Sequence, residues 1–137
     1  MQVWDYPKAL ATGALVLALN LATLVAIIFG YSAIEPGHPP EFYGEAAPRL
    51  GAYSGPIAGA LLMFIFVWLL SSRKPQRNAY AFAVTTFASY AALDIALGLA
   101  AAPASDLFRM PFLRSLGGVC IAALAAAFLV SSRKQNA

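Results

Sequence analysis

The chain has 137 residues, of which 61% are hydrophobic and only 11% charged, with a net charge of +3. A soluble domain runs nearer half apolar and a quarter charged, so that class and intrinsic disorder are both excluded. The basic residues fall in short clusters between apolar runs, a pattern of membrane topology rather than of a phosphate-binding face, and nucleic acid is not an expected partner.

A single cysteine, Cys120, leaves no internal disulfide, CxxC pair or cysteine zinc cage, and a single histidine, His38, leaves no bis-histidine haem within one chain. Ser/His/Asp, HExxH and phosphate-loop patterns are missing too. The sequence therefore points away from an enzyme, and neither a cofactor nor a metal is expected.

Four apolar stretches are long enough to cross a hydrocarbon core as helices, which takes roughly 20 residues each. They are expected at 9–33, 50–70, 79–101 and 110–130, forming one all-α domain over 1–137. Each run is continuous and rich in Ala and Leu, without the alternation a barrel needs.

The first run is too long for a signal-peptide core, and Asp5, Pro7 and Lys8 make a poor leader, so it reads as a retained span. Thr12, Asn20 and Thr23 share one of its faces, roughly opposite a stripe of Ala14, Ala18, Ala22 and Ala26. The connection at 34–49 is proline-rich and is expected to be a stiff loop rather than a helix. It carries His38, Glu35, Glu41 and Glu45 at no familiar metal-ligand spacing, and Glu41, Phe42 and Tyr43 offer a docking surface.

The second span opens with Gly51, Gly55 and Gly59, a tandem GxxxGxxxG run. Such a stripe lets backbones approach closely, either inside one bundle or across a homodimer seam. Pro56 removes a backbone donor within the run, so a local kink is expected there.

The next connection holds Arg73, Lys74 and Arg77 with no acid. On the third span Thr86, Tyr90, Asp94 and Gly98 share a face, and Ala88, Ala92, Ala96 and Ala100 form another small-residue stripe. The last connection offers Asp106 and Arg109. The fourth span carries Arg114 near its start and Gly118, Ala122 and Ala126 along one stripe, and the tail adds Arg133 and Lys134.

Positive charge concentrated at 71–78 and in the tail places both termini in the cytoplasm, N-in and C-in, of a bacterial inner (plasma) membrane. Ser71-Ser72-Arg73-Lys74 recurs as Ser131-Ser132-Arg133-Lys134 sixty residues on, as two duplicated helical hairpins would produce.

Ionisable groups inside spans are costly and mark function by default, so Asp94 is the principal candidate. Counted from the outer ends, Asn20 matches Tyr90 in depth and Thr23 lies near Asp94, which places a polar pocket between the first and third spans. Arg114 lies about 4–5 Å from the depth of Asp94 at 1.5 Å rise per residue, so a structural Asp94–Arg114 pair competes with a binding role.

Three functions are consistent with these features. The chain is a transport or permeation unit for a small solute or ion acting as a homo-oligomer, with Asp94, Tyr90, Thr86, Asn20, Thr23 and Arg114 on the path. Alternatively it is a non-catalytic accessory or assembly subunit of a larger membrane protein. A third reading is lipid binding through the outer arginines Arg49, Arg109 and Arg114.

Overall fold

A computed structural model describes residues 3–101, 103, 105 and 108–135, so Asp106 lies outside the described residues. Among them are four helices long and apolar enough to cross a membrane. These are α1 (Asp5–Ile34), α2 (Pro40–Ser72), α3 (Ala79–Ala101) and α4 (Met110–Gln135).

At 1.5 Å per residue α1 is about 45 Å long, more than a hydrocarbon core requires. The start of α1, the end of α4 and the 71–78 connection lie at one end of the bundle, here the termini end. The other two connections lie at the opposite, loop end.

The 34–49 connection corrects the sequence expectation, because the chain is helical again from Pro40. Pro39 is extended and Pro40 occupies the first turn, where a fixed φ is already helical and no amide donor is missed. The true loop is short and turns at Gly37, whose φ of +95° only glycine adopts cheaply. Tyr43 closes it by donating its hydroxyl to the Glu35 carbonyl at 2.6 Å. Phe42 stacks on His38 at 4.1 Å between centroids.

Lower in α2, Gly55–Gly59 widens into a π-turn containing Pro56. One widened turn absorbs the proline ring and its missing donor, so the irregularity expected at Pro56 is local. On α3, the Asn78 side chain caps the helix by accepting the Ala81 amide at 3.1 Å.

The helices pack in the ring order α1, α3, α4, α2, although α2 and α3 are consecutive in the chain and lie across a diagonal. The first helices of the two hairpins, α1 and α3, are therefore neighbours, and so are the second, α2 and α4. The tightest crossing is at Gly13 of α1. A Cβ there would lie 2.5 Å from the Thr86 carbonyl oxygen and 2.7 Å from Ser89 Cβ. Ser89 ties the same crossing by donating to the Leu10 carbonyl at 2.9 Å.

The alanine stripes of the first and third spans do not serve this packing. Ala14, Ala18, Ala22, Ala26, Ala88, Ala92, Ala96 and Ala100 are all exposed. In a chain this rich in alanine, small residues at four-residue spacing occur on more than one face. The stripe on α4 does turn inward, with Ala126 buried.

Burial is confined to the termini half of the bundle. It stops at Leu17 on α1, Gly59 on α2, Tyr90 on α3 and Val119 on α4, four residues at one level. Below that level Val16, Met63, Val67, Ala83, Ala123 and Ala127 form a solid core. Above it the helices leave space.

Candidate functional site

The four helices converge at Gly59. A Cβ on this residue would stand 3.3 Å from Asn20 Nδ2, from the Tyr90 hydroxyl and from Val119 Cγ2. Asn20 donates through Nδ2 to the Tyr90 hydroxyl at 3.1 Å, joining α1 to α3 across this point. Tyr90 is 1% exposed, so its ring fills the level that separates packed core from open space.

Directly above lies a cavity of about 610 Å³ reaching the loop end of the bundle. Asn20 and Tyr90 form part of its floor, and Asp94 stands one helical turn higher on α3. Ser54 and Gly55 line it from α2, Phe112 and Ser115 from α4, and Arg109 from the last connection. Its volume is within the range of small-molecule sites, and most of the lining is apolar with a few polar groups, the usual division of labour in such sites.

Asp94 is half-buried and, among the described residues, forms no ion pair and no hydrogen bond. The expected pair with Arg114 is not formed. Arg114 is exposed on α4 and does not line the cavity. Its depth fits Asp94, but its side of the helix does not, and a long side chain near a helix end reaches water more cheaply than it enters a bundle.

The other expected site residues divide in the same way. Thr23 lies off the cavity, and its hydroxyl bonds to the Leu19 carbonyl of its own helix at 2.8 Å. Thr86 is fully buried at the Gly13 crossing, below the cavity floor, with its hydroxyl lacking a partner. Asn20, Tyr90 and Asp94 are brought together as the depth count anticipated.

The three glycines of α2 face inward: Gly51 toward Leu24 of α1, Gly55 toward Ser115 of α4, and Gly59 toward the floor. Their spacing serves the chain's own bundle, and Gly51 and Gly55 also hold the cavity wall back to the width of a backbone.

A second polar cluster closes the termini end and was not anticipated. Asp5 is 2% exposed and Arg77 6% exposed, 72 positions apart in the chain. Arg77 donates to one oxygen of Asp5 through Nε at 3.0 Å and Nη2 at 2.7 Å. Its remaining nitrogen, Nη1, donates to the Leu70 carbonyl at 2.9 Å. The guanidinium also lies 4.3 Å above the Phe82 ring, and Lys134 donates to the Arg77 carbonyl at 3.0 Å.

One ion pair thus gathers the start of α1, the 71–78 connection, the start of α3 and the end of α4. In sequence both residues look like ordinary span-flanking charges, and no periodicity links them.

The arrangement is a one-sided cleft: open toward the loop end with a few polar groups on mostly apolar walls, solid below Tyr90, and pinned shut by charge at the termini end. No protein-family model, curated protein or solved structure matches this chain.

Proposed function

We propose that this chain is a transport or permeation unit for a small solute or ion, working as a homo-oligomer in a bacterial plasma membrane with both termini in the cytoplasm. The observation that carries this reading is the cavity of about 610 Å³ with Asp94, unpaired among the described residues, in its wall. A carboxylate in a membrane span is expensive, and one without a structural partner has no packing role to justify its cost. A binding compartment at mid-depth between helices is where membrane transporters hold their cargo.

Two features support the oligomer. The core below Tyr90 is too well packed for one copy to offer a continuous path. The exposed alanines on α1 and α3 give neighbouring helices small-residue faces suited to close approach by another copy. Arg73, Lys74, Arg133 and Lys134 at the termini end support the cytoplasmic assignment of both termini.

The test is flux into liposomes containing the purified protein alone, under imposed gradients of protons, potassium and small organic cations. The wild-type chain is expected to dissipate at least one gradient, and Asp94→Asn to abolish that flux while its unfolding midpoint is unchanged. Absence of any flux, together with co-purification with a larger, different membrane protein, would instead make this chain an accessory subunit.

A further inference from the structure

We infer that the Asp94 cavity binds a small organic cation with an apolar body, such as an aryl-substituted quaternary ammonium. This rests on reading the cavity as a binding compartment and names its ligand from the chemistry of the walls. The charge follows from Asp94, whose carboxylate is half-buried with no ion pair or hydrogen bond among the described residues. A buried carboxylate gains most from a ligand that supplies the missing positive charge. Arg109 at the rim is engaged in an interaction of its own.

The apolar body follows from the rest of the lining. A hard metal cation needs about six oxygen ligands. Among the described residues the cavity offers one carboxylate, and the remaining side-chain oxygens on its wall are few. Among the described residues no three His, Cys, Asp or Glu side chains come together as a metal site. Leu21, Leu24 and Phe112 present hydrocarbon instead, and Gly51 and Gly55 keep the wall free of side chains.

A hydrated ion gains little from these hydrocarbon walls, whereas an alkyl or aryl group buries apolar surface against them. Phe112 adds an aromatic ring, a group that tolerates a quaternary ammonium well. The volume of about 610 Å³ leaves room for a ring together with the cationic head.

The experiment is equilibrium binding of radiolabelled benzyltrimethylammonium to the full chain in detergent micelles, with benzenesulfonate and benzyl alcohol as anionic and neutral counterparts. The ammonium is expected to bind, and the other two to bind at least tenfold more weakly. Asp94→Asn should lose at least tenfold in ammonium affinity. Ser54→Leu, which fills the cavity and leaves its charge alone, should also weaken binding. Preference for the sulfonate, no binding of the ammonium, or an Asp94→Asn variant within threefold of wild type would overturn the inference.

Flux measurements separate this inference from the transport reading. Asp94-dependent ammonium binding without flux upholds the ligand class and refutes transport. Asp94-dependent proton or potassium flux without ammonium binding refutes the ligand class and leaves transport standing.

Discussion

Removing Arg77 should destabilise the fold far more than its place in a hydrophilic connection suggests. In Arg77→Met the carboxylate of Asp5, 2% exposed, loses both of its guanidinium bonds, at 2.7 and 3.0 Å. The Leu70 carbonyl loses a third bond, at 2.9 Å.

Among the described residues Lys74 is a second cation near Asp5, 3.9 Å away with a side chain 48% exposed, and is too distant and too wet to replace Arg77. Breaking one side of a buried pair costs about 3–5 kcal/mol, because the buried charge that remains loses its main counter-charge. The Lys74–Asp5 contact, long and with a half-exposed lysine, contributes at most about 1 kcal/mol. Arg77→Met and Asp5→Leu are therefore each expected to lower the unfolding free energy by about 3–5 kcal/mol, and Lys74→Ala by less than about 1 kcal/mol.

The double variant Asp5→Leu/Arg77→Met removes both charges and should recover most of the loss, ending within about 2 kcal/mol of wild type. Denaturant titration in mixed micelles, followed by far-UV circular dichroism, measures all four. Single variants that change stability by less than about 1 kcal/mol, or a double variant as damaged as their sum, would refute the buried-pair account.

Four further outcomes follow from the packing. Gly13→Ala places a methyl against the Thr86 carbonyl and Ser89 Cβ, neither of which can swing away, so a loss of about 1–3 kcal/mol is expected in the same titration. Gly30→Ala meets nothing within 4 Å and should be neutral or slightly stabilising. Tyr90→Phe leaves the Asn20 amide without its acceptor and should cost about 0.6 kcal/mol, the typical value for an interhelical bond in a membrane bundle. Arg114→Leu should stay within about 0.5 kcal/mol of wild type, since among the described residues no ion pair depends on it.

Much of this fold is readable from hydropathy because a bilayer imposes a length on every span. The common frame also explains why Asn20, Tyr90 and Asp94 could be grouped: depth along a spanning helix is a count of residues from its end. Direction around the helix is a different quantity. It is set by the ring order of neighbours, and in a chain so uniformly apolar no amphipathic face reveals it. Thr23 and Arg114 match the cavity in depth and miss it in direction for that reason.

The same ambiguity turned the alanine stripes of α1 and α3 outward and left the crossing to Gly13, a lone glycine whose spacing carries no signal. The stretch after Pro40 was misread because prolines mark loops in general but begin helices when they fall in a first turn. The contact between Asp5 and Arg77 depends on the termini end assembling from all parts of the chain, which local sequence does not encode.

The central claim is a cleft open at the loop end and sealed below Tyr90, and side-specific thiol labelling tests it most directly. In a Cys120→Ala background, Ser115→Cys lines the cavity and Val67→Cys lies in the fully buried core. In sealed vesicles, a membrane-impermeant maleimide applied from the loop-end side should modify Ser115→Cys and spare Val67→Cys. Applied from the termini side, it should modify neither. Equal labelling of Ser115→Cys from both sides, or labelling only from the termini side, would contradict the one-sided cleft.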